Sequence, residues 1–235
     1  MKEIPGKKIV MVQGQEVWYS DCGEGLSILI LAGWGGPTNA YGPFQQKLAA
    51  KGYRVVMPDL PGLGGRTSAR YIALSEWGDW VNQFAKLTIG NPFVLFSHSG
   101  SASIALSYLH SEHPECLANI YLGPGLVNYL QGLLWRAVNL IGILQLVSMK
   151  FSDMKCLRNK LVNKTGRNFL TPVREEAPKI PCVVFLGSRD PVRFFFTGWK
   201  KLNCPVRKFN WDHSPQIRAT DELVKEIDRF IKEIE

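Results

Sequence analysis

The sequence predicts an α/β fold: a mostly parallel central β-sheet flanked by helices, with a small helical insertion. Three observations predict it. Short runs that are apolar on both faces, such as 27–32 and 53–58, recur along the chain. Strands take this form when helices cover both sides of a parallel sheet. Segments with helical spacing separate these runs, which is the pattern of strand–helix–strand crossovers. Between 123 and about 178 the alternation stops and no strand pattern is present.

The elements follow in order. Residues 8–12 and 16–20 read as an antiparallel hairpin around Gln13-Gly14-Gln15, suited to one sheet edge. A buried strand spans 27–32. Residues 41–51 form a helix closed by Gly52, glycine being favoured just past a helix end. The strand 53–58 follows. Residues 74–87 have helical spacing, with Trp77, Trp80, Val81 and Phe84 on one side. Then come a strand at 92–96, a helix at 101–110 and strands at 117–122, 181–186 and 206–209. The remaining helices are 194–202 and 220–234. This rhythm assigns 1–124 and 179–235 to one core and 125–178 to a helical cap inserted between two of its strands. The apolar stretch 126–149 is long enough to raise the question of a membrane span. Asn128, Gln131, Arg136, Asn139 and Gln145 interrupt it, and an arginine at mid-span is costly, so the expectation is a cap and no transmembrane segment.

Composition bounds the function. The chain has 235 residues, 46% hydrophobic and 20% charged, which is a globular balance with enough apolar sequence for one large core. Met1-Lys2-Glu3-Ile4-Pro5 lacks the apolar region of a signal peptide. The five cysteines, Cys22, Cys116, Cys156, Cys182 and Cys204, are scattered and show no CxxC spacing. The expectation is reduced thiols in a cytoplasm, with no metal site and no disulfide framework. The formal charge is +8, and the excess is uneven: Lys150, Lys155, Arg158, Lys160, Lys164 and Arg167 stand close together, opposed by Asp153 alone. Such a cluster is either a solvated helix face or a surface for an anionic partner. No zinc finger, RNA-recognition signature or helix-turn-helix accompanies it, which argues against nucleic acid.

The chemistry centres on Phe93-Val94-Leu95-Phe96-Ser97-His98-Ser99-Gly100-Ser101. An apolar strand ends in a small-x-Ser-x-small pentad, and a helical run follows. Strand, tight turn with serine at the apex, helix: this geometry exposes a serine hydroxyl as a nucleophile. The turn brings the two backbones together, so the positions two residues either side of the apex must be small. Ser97 and Ser101 satisfy that around Ser99. Ser97 fails as an apex because Leu95 would be one of those neighbours. Ser101 and Ser103 lie where the helix is already running. An ordinary strand–loop–helix junction satisfies the same pattern, so the rest of the chain must decide.

A serine nucleophile needs a base in hydrogen-bond reach and a carboxylate to orient that base. Of the four histidines, His98 lies inside the elbow and is expected to point away from the hydroxyl. His110 and His113 fall at the end of the next helix. His213, in Asn210-Trp211-Asp212-His213-Ser214-Pro215, follows the last strand, and strand ends on the carboxyl edge of a parallel sheet are where sites assemble. The acid should leave a strand end too. Asp190 does so in Gly187-Ser188-Arg189-Asp190-Pro191, whereas Asp212 is too near His213 to bond its ring and Gly123-Pro124-Gly125 carries no acid. The order serine, acid, histidine is that of one fold among those using this triad. An oxyanion needs two N–H donors. Gly100 follows the nucleophile and supplies one. The glycine-rich turn Ala32-Gly33-Trp34-Gly35-Gly36 after an earlier strand supplies the other, with Trp34 the first choice and Gly35 the second.

With these residues in place, nearly the whole chain resembles the α/β-hydrolase fold superfamily. Leu31–Gly36 is similar to that family's His-Gly-x oxyanion segment, with Ala32 where His is frequent. Pro58-Asp59-Leu60-Pro61-Gly62-Leu63-Gly64 resembles the turn after its next strand, and Ser97–Ser101, Gly187–Pro191 and Trp211–Pro215 resemble its elbow, acid and histidine loops. The resemblance implies a serine hydrolase acting on a small-molecule carboxylic ester or thioester, without metal or organic cofactor. Serine at the apex disfavours relatives with an aspartate nucleophile, such as haloalkane dehalogenases and epoxide hydrolases. Carbon–carbon bond hydrolases, acyltransferases and peroxide-forming enzymes share the triad, and a small-ligand receptor on the same fold is the non-enzyme alternative. Leu126, Leu130, Leu133, Leu134, Trp135 and Phe151 are either an acyl pocket or cap core. The basic cluster falls on the cap, which rims the substrate entrance in this fold. An acyl carrier protein is one acidic partner that presents an acyl ester or thioester. Gly33-Trp34-Gly35 resembles esterases that release pimeloyl methyl ester on that carrier in biotin synthesis.

Overall fold

In the computed structural model, which describes residues 7–34, 38–62, 67, 71–110, 115–128, 130–131, 180–218 and 220–235, strand β1 (Lys7–Val12) turns into β2 (Gln15–Cys22). The two-residue connection Gln13-Gly14 has φ of 50° and 72°. Two positive φ values match the twist of a hairpin, which is why glycine suits its second position. The remaining strands are β3 (Leu26–Leu31), β4 (Tyr53–Pro58), β5 (Phe93–His98), β6 (Cys116–Leu122), β7 (Cys182–Gly187) and β8 (Val206–Phe209). They form one eight-stranded sheet in the order β1-β2-β4-β3-β5-β6-β7-β8. β1 and β2 pair antiparallel with their neighbours, and β3 through β8 run parallel. Among the described residues the sheet takes no strand between Leu122 and Cys182, where the insertion was expected.

Helices α1 (Gly42–Ala50) and α5 (Thr220–Ile234) cover one face, and α2 (Trp77–Thr88) and α3 (Ala102–Leu109) the other. The alternation along β3 is direct: Ile28 and Ile30 join one core and Leu29 and Leu31 the other, all fully buried. α5 buries Leu223, Val224, Ile227, Phe230 and Ile231, the i, i+1, i+4, i+7, i+8 stripe of an amphipathic helix. Each such side chain contributes about 1.5–3 kcal/mol of apolar burial. On the opposite face Trp80 stacks on Phe84 with ring centroids 5.5 Å apart, and Trp77 meets Trp80 edge-on at 5.2 Å. No helix among the described residues is long and apolar enough to cross a membrane.

Two expectations are corrected. The single helix at 194–202 is instead a short helix α4 (Val192–Phe195) and a separate 3₁₀ turn (Gly198–Lys201). Phe196 between them is extended. The Thr197 N–H goes to Gln131 Oε1 and the Gly198 N–H to the Leu126 carbonyl, so tertiary partners take the donors a continuous helix would use. The cysteines are not all reduced thiols either: Cys182 and Cys204 form a disulfide, with Cα atoms 5.5 Å apart. β7 and β8 are parallel neighbours with Val184 opposite Val206, so Cys182 and Cys204 stand side by side two residues earlier. Cys22 and Cys116 are free, and Cys156 lies outside the described residues. The pairing removes the argument for a reducing compartment that the scattered thiols had offered.

Candidate active site

The registers bring five strand ends to one edge. Leu31 lies opposite Ser97, His98 opposite Leu122, Leu122 opposite Phe185, and Gly187 opposite Phe209. The loops that leave these ends carry Trp34, Ser99, Gly123, Asp190 and His213. β5 sits between β3 and β6, with all six of its residues buried. The chain then breaks sharply: Ser99 has φ of 55°, a left-handed conformation that non-glycine residues seldom adopt. A 3₁₀ turn (Ser99–Ser101) leads into α3. Ser97 and Ser101 are fully buried beside it. Ser101 is more than small: its Oγ is 2.8 Å from the Leu31 carbonyl and 2.9 Å from the His98 carbonyl, and it accepts the His98 N–H at 3.1 Å.

Three of the expected side chains meet. Ser99 Oγ lies 2.9 Å from His213 Nε2, and His213 Nδ1 lies 2.8 Å from Asp190 Oδ2. Asp190 is almost wholly buried, 1% exposed, while the His213 side chain keeps 24% of its surface open to solvent. The second Asp190 oxygen accepts the Val192 N–H at 2.8 Å, which fixes the carboxylate plane. The acid and histidine loops are tied together by Ser188 N–H to the Phe209 carbonyl at 2.7 Å and Arg189 N–H to the Trp211 carbonyl at 2.9 Å. Trp211 stacks on Phe209 with centroids 4.0 Å apart. Asp212 turns elsewhere: it accepts the Ser214 N–H at 2.9 Å and pairs with Arg218.

Gly123, just past β6, lies against the site although its loop carries no acid. Its φ is +48°, and a Cβ there would lie 2.9 Å from Asp190 Oδ2 and 3.2 Å from His213 Nδ1. The Asp190–His213 contact therefore leaves no room for a side chain at this position.

Gly100 is the second residue of the helical turn that begins at Ser99, so its N–H has no partner within the helix and sits at the positive end of the helix dipole. Trp34 follows β3 in a turn and is partly buried, while Gly35 lies outside the described residues. Gly125 donates its N–H to the Ser99 carbonyl at 2.9 Å, bringing the chain just past β6 beside the elbow. Leu126 is buried there, whereas Leu130 is exposed. Leu133, Leu134, Trp135 and Phe151, the cations Lys150, Lys155, Arg158, Lys160, Lys164 and Arg167, and His113 all lie outside the described residues.

His98 is the larger surprise. It does turn from the Ser99 hydroxyl, but into a buried set of contacts and not into inert packing. Its Nδ1 is 2.7 Å from the Tyr41 hydroxyl, and its Nε2 is 2.8 Å from the His213 carbonyl oxygen. Burial, and next the facing His213, push its pKa down to about 3, so the ring is neutral. The partners are 57 and 115 residues away, and no local pattern signals them.

A parallel sheet that gathers an elbow serine, a histidine and a buried aspartate at its carboxyl edge defines a class of protein. The chain belongs to the alpha/beta hydrolase family, whose model matches residues 28–227. No curated protein matches it in sequence. Solved structures share its fold at low identity. An esterase from Exiguobacterium antarcticum superposes with a TM-score of 0.75 at 15% identity, over 96% of this chain and 99% of that one. A bromoperoxidase from Bacillus anthracis gives 0.76 at 14%, over 97% and 100%. An epoxide hydrolase from Vigna radiata gives 0.72 at 16%, over 99% of both.

Proposed function

We propose that this chain is a serine hydrolase that cleaves a carboxylic ester or thioester through an acyl-enzyme. The observation that carries the reading is the unbroken line from Ser99 Oγ through His213 to Asp190, at 2.9 and 2.8 Å, on a serine held at positive φ. His213 Nε2 takes the Ser99 proton as Oγ attacks the carbonyl carbon. The N–H groups of Gly100 and Trp34 receive the oxyanion, each worth about 3 kcal/mol in the transition state. His213 returns the proton to the departing alcohol or thiol. Water then enters by the same route in reverse, frees the acid and restores Ser99. Asp190 holds the Nδ1–H tautomer and stabilises the imidazolium.

The fold is shared by esterase, epoxide hydrolase and bromoperoxidase structures, so the assignment to esters rests on the chemistry of the apex. A serine alkoxide with backbone donors beside it suits a carbonyl that becomes tetrahedral. The direct test is a panel of p-nitrophenyl esters and acyl thioesters of increasing acyl length, run beside Ser99→Ala. The expected result is turnover with an acyl-length optimum, and background rates in the variant. Equal rates in both proteins would contradict it. The excess of lysine and arginine over 150–167 supports an anionic substrate or an acidic carrier. A carrier-bound thioester whose hydrolysis falls with salt, while a small neutral ester is unaffected, is the outcome that reading requires.

A further inference from the structure

The base and the oxyanion turn leave different strands, yet one buried side chain touches both. The Gly33 N–H donates to the Tyr41 hydroxyl at 3.1 Å. The Tyr41 proton is then directed to His98 Nδ1 at 2.7 Å. A carbonyl only accepts, so His98 Nε2 carries the ring's proton and donates to the His213 carbonyl at 2.8 Å. The relay runs one way: Gly33 N–H to Tyr41, Tyr41 O–H to His98, His98 N–H to His213. It begins next to Trp34 and ends on the main chain of the base. The fit is close: a Cβ on Gly33 would lie 2.7 Å from His98 Nδ1. The His98 and His213 rings lie 4.9 Å apart, centroid to centroid.

We propose that His98 is a positioning residue, which locks the His213 loop and the Gly33–Trp34 turn to the nucleophile elbow as one rigid unit. This rests on the roles given above to Ser99, His213 and Trp34. A glutamine at 98 keeps an N–H donor at the distance of Nε2. An asparagine keeps an acceptor near Nδ1 but does not reach the His213 carbonyl.

The test reads two quantities in His98→Asn and His98→Gln: kcat and KM on a p-nitrophenyl ester, and the rate at which a fluorophosphonate labels Ser99. His98→Asn should lower kcat and the labelling rate about tenfold to a hundredfold, the scale of a small misplacement of reacting groups, with KM unchanged. His98→Gln keeps the donor to the His213 carbonyl but not the acceptor for Tyr41, so it should recover part of the loss and fall no lower than Tyr41→Phe. Tyr41→Phe leaves the His98 ring in place and should lower kcat about tenfold with KM unchanged, which keeps the test available if His98→Asn does not fold. Independently, ¹⁵N spectra of the wild-type protein should show His98 neutral, protonated at Nε2 and bare at Nδ1. The proposal is overturned if folded His98→Asn keeps both rates within about twofold of wild type, if glutamine recovers nothing, if Tyr41→Phe is silent, or if the spectra show the other tautomer. Wild-type protein that neither hydrolyses esters nor labels would refute the hydrolase reading instead, and the spectra would then decide the relay by themselves.

Discussion

Ser99 and His213 meet at 2.9 Å, but opposite kinds of structure deliver them. The serine leaves β5, an interior strand buried on both faces and flanked by β3 and β6. The histidine follows β8, a four-residue edge strand with no buried residue. Ladder hydrogen bonds on both sides hold the strand that delivers Ser99, so its position is a property of the sheet. His213 has no such support. It is held by the Phe209–Trp211 stack, by the Arg189 N–H on the Trp211 carbonyl, and by His98 beneath it. The nucleophile half should therefore tolerate change around it, and the base half should be sensitive to substitutions that never touch substrate.

The strongest way to break this comparison is at the acid. Asp190→Asn should leave the fold intact and lower kcat about 10⁴-fold, as the same change does in another triad, because the histidine loses the partner that fixes its tautomer. Asp212→Asn should leave kcat within about threefold, since that carboxylate faces the Ser214 N–H and Arg218. Steady-state rates on one p-nitrophenyl ester rank the two; the reverse order would mean that the base is oriented by its neighbour. Next comes Gly123→Ala. The added methyl would crowd Asp190 Oδ2 at 2.9 Å from a backbone already at positive φ. A fall in kcat on the order of a hundredfold is expected, with the circular dichroism of the wild-type fold.

A third effect is thermodynamic and sharpens the role of His98. Its folded pKa is depressed to about 3 from 6.5, with Tyr41 and His213 facing the ring. Below about pH 6.5 the unfolded chain gains a proton at this position and the folded chain does not. His98 therefore makes stability fall as the pH drops from about 6.5 towards 3. Denaturant melts of wild type and His98→Gln across that range should diverge, the variant losing less on acidification. Parallel curves would place the acid sensitivity elsewhere. The smallest effect is expected at Ser97→Ala. That hydroxyl makes one long contact with the Ile120 carbonyl, at 3.4 Å, and its removal should change stability by less than about 1 kcal/mol and leave turnover intact.

The same division separates what was legible in the sequence from what was not. Strands buried on both faces advertise themselves as apolar runs, so β4 falls where the sequence puts it and β3, β5, β6 and β7 differ only at their ends. Ser99, Asp190 and His213, which the structure brings together, stand out in the sequence because each sits at a strand end beside turn residues, in an informative chain order. The features that escaped depend on register between distant segments. Cys182 and Cys204 become partners only when β7 and β8 are aligned. The helix expected at 194–202 breaks because Gln131 and Leu126, far back in the chain, claim its donors. His98 looked like a bystander because Tyr41 and His213 come to it only through the sheet.

The central claim is that Ser99, and no neighbouring serine, is the activated nucleophile. Fluorophosphonate labelling followed by peptide mass spectrometry tests it without knowledge of the natural substrate. The account predicts one adduct, on Ser99, absent in Ser99→Ala and strongly reduced in His213→Ala. An adduct on Ser97, Ser101 or Ser103, or labelling that survives loss of His213 at the wild-type rate, would contradict it.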